Sequence, residues 1–369
     1  MKSKLKPFDY TLFTVVIILL GLGLLMVLSA SSHLGMLEYK DPYYFFKRQF
    51  IFGALGIGIM VFLSRWDYKF YKNFSGLIFL AAIVLLGLVL IPGVGSGDVR
   101  GAKRWINLGF FNLQPSEVAK LATIIFLSAR ISMNPDKIKS FWNGLVPCFV
   151  IIGIVVGLLY FEPHYSAIGI IGLISVVILF VGGARWLHFG VLASIAVPLG
   201  VIGIYISNYR LDRIIGFLDP WADAKGTGWQ VIQSLYALGS GGIFGLGLGQ
   251  SKQKYSYLPD AHNDFILAIL GEELGLIGMI IVVLLFAILI WRGCVIAMKA
   301  PDMFSGLVAT GITMLIAIQF VFNVAIITSV FPVTGMPVPF MSYGGTSMMI
   351  FMACAGILLN ISRHLRSDR

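Results

Sequence analysis

The chain has 369 residues, of which 58% are hydrophobic and only 12% are charged, and its formal net charge is +10. A soluble core of this size does not need so much apolar surface, so the composition excludes a soluble globular protein and predicts a polytopic membrane protein. The basic excess is typical of cytoplasmic loops that face anionic lipid. We therefore expect membrane lipids, and no nucleic acid, around its charged surface.

Windows of about twenty apolar residues predict the transmembrane helices. Ten such windows lie near residues 10–30, 49–64, 75–91, 114–132, 143–160, 165–182, 187–206, 263–291, 306–330 and 343–361. The first follows Lys2, Lys4 and Lys6 like a signal peptide, but it is too long for one and many spans follow, so we expect it to be retained. An even number of spans places both termini on one side, and the Lys and Arg excess there makes that side the cytoplasm. The predicted fold class is an all-α bundle of ten transmembrane helices.

Two segments on the outer side interrupt this pattern, at residues 92–113 and 207–263. The second is a large loop, far longer than an ordinary connection. Its part from Gly226 to Gln250 is too polar and glycine-rich to span the bilayer and too apolar for a free loop, which indicates a partly re-entrant or interfacial segment. No fixed-period repeat and no linker rich in Pro and Ser divides the chain, so we expect one domain over residues 1–369.

The first outer segment and the start of the fourth window carry charge near the outer surface. Lys103, Arg104 and Trp105 place two cations and an indole there, and such a cluster suits a diphosphate headgroup. Glu117 and Lys120 are i,i+3 neighbours at the start of the fourth window. They either neutralise each other as a structural ion pair, or Lys120 also holds an anionic group that enters from outside.

The large outer loop adds candidates for binding phosphate or sugar. Arg210 and Arg213 share a helical face, where they either grip phosphate or pair with nearby aspartates. Gln233 and Ser234 offer neutral hydrogen-bonding groups of the kind that sugars need. The glycine series that follows has no preceding strand and lies outside the cell, so a nucleotide-binding loop is excluded.

The eighth window opens with the most informative acid of the chain. Asp264 and Glu272 are eight residues apart, which on a continuous helix places them on one face, two turns apart. Acids at the edge of a bilayer are costly and are normally paired or functional. Asp264 is therefore either a general base near the outer surface, with Glu272 as a deeper partner, or a carboxylate that stabilises the start of the helix.

The last third of the chain adds neutral polar groups. Gln319 and Asn323 are i,i+4 neighbours that either join helices or line a cavity. A proline-set loop before the tenth window carries Ser342 and Tyr343 on the outer side. His164 is isolated in the sequence, and no cluster of His, Asp and Glu has the spacing of a zinc site.

Long motifs follow one another along most of the chain. They are Gly101-Ala-Lys-Arg-Trp105, Gln114-Pro-Ser-Glu-Val-Ala-Lys120, Arg213-Ile-Ile-Gly-Phe-Leu-Asp-Pro-Trp221, Gly228-Trp-Gln-Val-Ile-Gln-Ser234, Ala237-Leu-Gly-Ser-Gly-Gly242, Tyr257-Leu-Pro-Asp-Ala-His-Asn-Asp-Phe265, Gly271-Glu-Glu-Leu-Gly275 and Pro337-Val-Pro-Phe-Met-Ser-Tyr-Gly-Gly345. With these motifs in order, the chain resembles the SEDS family (shape, elongation, division and sporulation), which contains FtsW, RodA and SpoVE. The forms Phe217-Leu-Asp-Pro-Trp221 and Ser251-Lys-Gln-Lys254 are closer to the division and sporulation branch than to the elongation branch.

The resemblance implies an inverting peptidoglycan glycosyltransferase that polymerises lipid II into glycan strands at the outer face of the cytoplasmic membrane, during division or sporulation. It implies a class B penicillin-binding protein and divisome or sporulation proteins as partners. The family's essential acid corresponds to Asp264. Its Arg-Trp pair and its fourth-span acid and lysine correspond to Arg104, Trp105, Glu117 and Lys120.

One motif departs from the family pattern. Glu162-Pro-His-Tyr-Ser166 stands where the family commonly has Gln or Glu, Pro, Asp, Phe or Leu, and Gly. The missing acid weakens any role assigned to this loop, while the prediction for Asp264 is unaffected.

The residues and the resemblance together predict a base-assisted transfer. Asp264 takes the proton of the acceptor's GlcNAc hydroxyl, a contribution of typically about 10²–10⁴-fold, while nearby cations stabilise charge on the departing diphosphate. The sequence requires no cofactor, although a divalent cation, Mg²⁺ or Mn²⁺, is compatible with Asp264.

Two alternatives belong to other classes of protein. One is a lipid II flippase, in which Glu117, Lys120 and Glu272 would line a path for the headgroup. The other is a non-catalytic scaffold of the cell-wall synthesis complex, for which no single outer charge would matter. A flippase needs polar residues through the whole bilayer, whereas here they crowd toward the outer half.

Overall fold

The computed structural model describes residues 7–97, 103–109, 111–205 and 208–365. The α-helices are Tyr10–Tyr39 (α1), Tyr44–Arg65 (α2), Tyr68–Asn73 (α3), Ser75–Leu90 (α4), Pro115–Met133 (α5), Val146–Phe161 (α6), Tyr165–Val181 (α7), Trp186–Tyr205 (α8), Asn208–Leu218 (α9), Trp229–Gly241 (α10), Ile266–Met298 (α11), Met303–Ile327 (α12) and Gly345–Ser362 (α13). The strands are Gly95–Gly97 (β1), Lys103–Asn107 (β2) and Asn112–Leu113 (β3). Each apolar window coincides with one helix, namely α1, α2, α4 to α8 or α11 to α13, which confirms the predicted helical bundle.

The apolar helices of the described chain fall into groups by length. Six are long and apolar enough to cross a membrane: α1, α2, α11, α12, α13 and the helix Phe141–Phe161 that contains α6. α4 and α7 are apolar but shorter. α5 is less apolar because it carries Glu117 and Lys120, which are buried inside the bundle. The chain is a multi-pass membrane protein.

The last helix, α13, lies at the centre of the bundle. Most of its residues are buried, as expected of a helix that is apolar on every side. It packs most extensively on α2, where glycines bring the two helices close together. A Cβ on Gly56 would lie 2.8 Å from Cγ of Met352, and one on Gly356 would lie 2.7 Å from the carbonyl oxygen of Met60. Small residues permit such close helix packing inside membranes.

α11 is a discontinuous helix. At Gly275 the backbone adopts φ 66° and ψ −164°, which breaks the helical path. Loop N–H groups bind the carbonyls before the break, from Leu246 to Glu272 and from Gly247 to Glu273, both at 3.0 Å. This loop follows α10, which packs against α11, so the segment is held against the bundle. A partly re-entrant or interfacial position of residues 226–250 stays a prediction. Irregular backbone is tolerated here because its polar groups are paired.

The start of α11 corrects one expectation from the sequence. The helix begins at Ile266, so Asp264 lies in the preceding turn and does not share a helical face with Glu272. The N–H groups of Asn263 and Asp264 donate to the carbonyl of Asp260, at 2.9 and 3.1 Å. Asp260 itself has φ 53°, a left-handed conformation that a continuous helix does not contain. The prediction of a shared helical face was wrong because Asp264 belongs to the turn that precedes the helix.

A small antiparallel sheet of order β1-β2-β3 covers the end of the bundle between α4 and α5. Ser96 lies opposite Trp105, and Ile106 lies opposite Leu113. The helical fold class is confirmed. The described part of the first outer segment contains the three strands, and β2 carries Lys103 and Arg104. The sheet therefore holds Lys103 and Arg104 at this end of the bundle.

Candidate active site

The carboxylate of Asp264 lies against the backbone of the loop between α12 and α13. A Cβ added to Gly335 would be 3.1 Å from Oδ2 of Asp264, and Gly335 has φ 66°, so this close approach favours glycine. Asp264 is half-buried. Burial and the nearby Asp260 raise its pKa to about 7, while the charges of Arg213 and Arg104 act in the opposite direction. A carboxyl group with a pKa near neutrality is suited to accept a proton at neutral pH.

Two side chains hold the Asp264 turn against this loop. Asn323 on α12 donates hydrogen bonds from Nδ2 to the carbonyls of Asp264 at 2.7 Å and Met336 at 2.8 Å. Ser342 donates to the carbonyl of Asn263 at 2.6 Å. The turn and the loop are thus joined at two points, and Asn323 links separate elements as one of its two interpretations predicted.

The predicted contact residues Ser342 and Tyr343 both take part in this support. The hydroxyl of Ser342 accepts the N–H of Val338 at 2.7 Å, and its carbonyl accepts from Gln49 of α2 at 2.9 Å. The N–H of Tyr343 donates to the carbonyl of His262 at 3.0 Å, and the two rings lie 5.5 Å apart. Both residues position the Asp264 turn, and their contact with a substrate stays a prediction.

Two arginines from different elements bring positive charge to Asp264. Arg104 on β2 donates from Nη2 to the carbonyl of Pro163 at 2.7 Å. Arg213 on α9 donates to the carbonyl of Val333. Both act electrostatically on Asp264, so the structure brings two of the predicted cations together with the predicted base.

The sequence neighbours of these arginines are placed differently. Lys103 is exposed, and Trp105 is half-buried with its carbonyl accepting from Ser96 Oγ at 3.1 Å. The backbone of Arg210 belongs to α9, but its side chain lies outside the described part of the chain. Substrate contacts of Lys103, Trp105 and Arg210 stay predictions.

The acid and the lysine of α5 form the ion pair that their spacing predicts. Nζ of Lys120 lies 2.7 Å from Oε1 of Glu117, and both side chains are almost completely buried. Their mutual neutralisation makes two charges acceptable inside the bundle. Lys120 also acts electrostatically on His164 near the outer end. The pair therefore has a structural role, and its binding of an anionic substrate group stays a prediction.

The two acids of α11 anchor the large outer loop to the bundle. Glu272 accepts hydrogen bonds from the hydroxyl of Ser251 and from the backbone N–H groups of Lys252 and Gln253. Glu273 accepts from the hydroxyl of Ser29 at 2.6 Å and pairs with Lys254 at 3.2 Å. The carboxylate of Glu272 thus binds this loop, and its contact with a substrate stays a prediction. Sequence reasoning did not single out Lys254, although its basic motif was visible.

Gln233 and Ser234 of α10 face the protein interior. Ser234 is buried and donates to the carbonyl of Ile327 at 2.9 Å, which fixes α10 to the end of α12. Gln233 is also buried. These contacts serve packing, and the predicted binding of a sugar by Gln233 and Ser234 stays a prediction.

The loop between α6 and α7 reaches the same place, which sequence reasoning did not expect. Besides the bond from the β2 arginine, Ser166 donates to the carbonyl of Thr334, the residue before the glycine that covers Asp264. Glu162 and His164 are buried in this loop. The sequence signal for this loop was the pair Glu162-Pro163, which matches the family pattern, although the acid expected at position 164 is missing.

A metal site is not evident in the part of the chain that the structure describes. No group of three or more His, Cys, Asp or Glu side chains within it is arranged to hold a metal ion. Binding of Mg²⁺ or Mn²⁺ near Asp264 stays a prediction.

Comparisons with known sequences place this chain in a family. The FtsW/RodA/SpoVE family model, described as "Cell cycle protein", matches residues 10–367. Stage V sporulation protein E of Bacillus subtilis (strain 168) is 43% identical over 368 residues, which cover 99% of this chain and 100% of that protein. A probable peptidoglycan glycosyltransferase FtsW of Trichlorobacter lovleyi is 43% identical over 364 residues, with coverage of 98% and 95%.

Solved structures agree with the fold. One chain comes from the structure described as "Structural coordination of polymerization and crosslinking by a peptidoglycan synthase complex". It superposes with a TM-score of 0.79 at 28% identity and covers 96% of this chain and 98% of its own length. The rod shape determining protein RodA of Thermus thermophilus gives a TM-score of 0.71 at 24% identity, with 98% coverage of both chains, a likeness in fold alone.

Proposed function

The chain belongs to the FtsW/RodA/SpoVE family of cell cycle proteins, and we propose that it is a peptidoglycan glycosyltransferase that polymerises lipid II into glycan strands. The relative from Trichlorobacter lovleyi is itself named a probable peptidoglycan glycosyltransferase. The observation that carries the proposed chemistry is the placement of Asp264 in a fixed turn, close to the charges of Arg104 and Arg213.

In the proposed reaction, a hydroxyl group of the acceptor GlcNAc attacks the anomeric carbon of the donor sugar. Its proton passes to the carboxylate of Asp264 as the new C–O bond forms. The bond between the anomeric carbon and the lipid diphosphate breaks, and the diphosphate leaves with the electron pair. Attack opposite the leaving group inverts the configuration. A positioned base of this kind contributes typically about 10²–10⁴-fold.

The two arginines support departure of the diphosphate. Each is held by a hydrogen bond to a backbone carbonyl, Arg104 by that of Pro163 and Arg213 by that of Val333. Positive charge that is fixed before the reaction stabilises the developing negative charge without reorganisation. Nε of Arg104 is buried and has no hydrogen-bond partner within the described ranges, so it remains as a donor for the substrate.

The setting of this reaction is the outer face of the cytoplasmic membrane. The excess of Lys and Arg on the side of both termini supports a cytoplasmic location of the termini, and with that orientation Asp264 would lie on the outer side. One large hydrophobic core includes residues from most of the bundle, which supports a single domain over residues 1–369. A similar chain was solved in a peptidoglycan synthase complex that coordinates polymerization with crosslinking, which supports a class B penicillin-binding protein as partner. Divisome or sporulation proteins as further partners stay a prediction.

The test is glycan synthesis by the purified protein, with and without its partner, from purified lipid II. We expect chains from the wild type, none from Asp264→Ala, and near-normal synthesis from Glu38→Gln. Glu38 is the matched control because it is an exposed acid at the end of α1 and does not belong to the Asp264 turn. Full activity of Asp264→Ala, with normal protein level, would remove Asp264 from the chemistry. A wild type that moves labelled lipid II across liposomes without making polymer would favour the flippase.

A further inference from the structure

The loop between α6 and α7 holds buried polar atoms that have no hydrogen-bond partner among the described residues. Glu162 is 1% exposed, and neither oxygen of its carboxyl group has a hydrogen-bond partner among the residues that the structure describes. Within the same ranges, Nδ1 of His164 and Nε of Arg104 are also buried and unpartnered. Buried polar groups in native proteins are nearly always hydrogen-bonded, because an unmade bond is costly. Several unpaired atoms in one place indicate a partner that arrives with a ligand.

These atoms lie beside the Asp264 site. The charge of Arg104 acts on Glu162, on His164 and on Asp264 alike. Ser166, in the first turn of α7 just after this loop, donates a hydrogen bond to the carbonyl of Thr334.

The segments that support Asp264 add two more unpaired atoms. Oγ1 of Thr334 and Oδ1 of Asn263 are buried without a hydrogen-bond partner in the described chain. Thr334 precedes the glycine over the Asp264 carboxylate, and Asn263 precedes Asp264 itself. Unsatisfied donors and acceptors therefore surround the base on three segments of chain, and they are not confined to one loop.

An ion pair with Arg104 would be the ordinary reason for a buried acid at Glu162. The hydrogen bonds argue against this ion pair. Nη2 of Arg104 donates to the carbonyl of Pro163, and neither carboxyl oxygen of Glu162 accepts a hydrogen bond from the described residues. The acid is thus near a cation without being neutralised by contact. Its own proton is the remaining way to make such burial tolerable.

The charge states of this loop follow from its burial. Burial raises the pKa of Glu162 to about 8, against the opposing charge of Arg104. Burial, then the charges of Arg104 and Lys120, lower the pKa of His164 to about 3. At neutral pH the loop presents a neutral carboxylic acid and a neutral imidazole, each of which both donates and accepts hydrogen bonds. Such groups match the hydroxyl and acetamido groups of a sugar better than a phosphate.

We propose that Glu162, in its neutral carboxylic acid form, and His164 make a saccharide subsite next to Asp264. It binds a hydroxyl or acetamido group of an N-acetylated hexosamine and holds that sugar against the base. The proposal rests on the proposed function, since it assumes that the sugar of a lipid-linked substrate reaches Asp264. It gives this loop a role through Glu162, although the acid expected at position 164 is missing.

The test compares Glu162→Gln with Glu162→Ala in glycan synthesis from lipid II near pH 7. Gln keeps a donor and an acceptor, so we expect its kcat/KM to stay within about threefold of the wild type, whereas Ala loses about tenfold or more. Glu38→Gln is the matched control, because Glu38 is an exposed acid at the end of α1 and should leave both constants unchanged. Rescue by the isosteric amide is a result that a charged role of Glu162 does not produce.

The pH profile gives a second readout. Wild-type activity should fall as the pH rises through about 8, because ionised Glu162 no longer donates, and Glu162→Gln should not show this loss. The charged residues on the elements around the loop are Lys103 and Arg104 on β2 and Glu117, Lys120 and Arg130 on α5, while α4, α6, α7 and α12 carry none. These groups and Asp264 are the same in both proteins, so the difference between the profiles isolates Glu162.

The outcomes separate this inference from the proposed function. A Glu162→Gln protein that loses as much activity as Glu162→Ala, or that keeps the wild-type alkaline limb, overturns the subsite. Full activity of Glu162→Ala overturns it as well, and if Ala does not fold the Gln profile decides alone. A wild type without any glycan synthesis refutes the proposed function instead.

Discussion

Gly335→Ala tests whether the backbone that covers Asp264 must lack a side chain. The added Cβ would lie 3.1 Å from Oδ2 of Asp264, closer than ordinary van der Waals contact, so the carboxylate or the loop must shift by a few tenths of an ångström. Gly335 also has φ 66°, a conformation that costs an alanine about 1–2 kcal/mol. The substitution therefore adds modest strain to the fold and a displacement to the group that takes the proton.

The displacement should matter far more for the rate than for stability. A misplacement of about 1 Å at a reacting group can cost about 10²-fold, so a smaller shift is expected to lower kcat by about 10- to 100-fold. The assay is glycan synthesis from lipid II at saturating concentration, with thermal unfolding measured on the same preparation. Gly93→Ala is the matched control, because Gly93 has φ 91° but a Cβ there would meet nothing within 4 Å. It reproduces the backbone strain without touching the carboxylate.

The pair of glycines makes the reasoning refutable. If Gly335→Ala polymerises lipid II at the wild-type rate, the loop does not fix the position of Asp264. If Gly93→Ala is slowed as much as Gly335→Ala, backbone strain alone explains the loss and the carboxylate contact is irrelevant.

Three further changes test the support, the ion pair and the titration of the site. Asn323→Ala removes two hydrogen bonds worth about 1 kcal/mol each, so both the unfolding temperature and the polymerisation rate should fall; a change in neither would contradict the support. Lys120→Met leaves Glu117 buried and unpaired and should destabilise by about 3–5 kcal/mol. The double variant with Glu117→Leu should be closer to the wild type, and equal unfolding curves for all three would count against the pair. The pKa of Asp264 is raised from 3.8 to about 7, so the stability it contributes is present below 3.8 and lost as pH rises through 7. Asp264→Asn cannot ionise and should gain unfolding temperature relative to the wild type as the pH rises from about 4 to 7, whereas a constant difference would argue against the shift.

The helical bundle was predictable because each span writes its own signal in the sequence. A run of about twenty apolar residues must be a helix in a bilayer, since no other element pairs its backbone there. The ion pair of α5 was equally local, because Glu117 and Lys120 are i,i+3 neighbours and each is the nearest way to neutralise the other.

The turn before α11 was not predictable from spacing. A helical period assigns Asp264 and Glu272 to one face only if the helix is already formed at Asp264, and the helix begins only after Phe265, whose φ of −112° and ψ of 20° are not helical. The break at Gly275 depends on hydrogen bonds from a loop some thirty residues earlier in the chain, and no local pattern records such a partner.

The composition of the site was predictable in part and its assembly was not. The acid and the two arginines were identified from charge and motif, but the support comes from Asn323, Gly335 and Ser342, which meet Asp264 only in the folded bundle. Glu162 was set aside because its motif lacked an acid, while its own burial without partners can be seen only in three dimensions.

Asn323 follows Asp264 by 59 positions in the chain, and Ser342 follows its bonding partner Asn263 by 79 positions. Ribosomes make proteins from the amino end, so the acid enters the membrane before Asn323 and Ser342 have been translated. In a nascent chain, Asp264 therefore lies in a turn that lacks the hydrogen bonds from Asn323 and Ser342. α2 likewise lacks its main packing partner until α13 has been made. The contacts that fix the Asp264 turn are therefore complete only after Ser342 has been made.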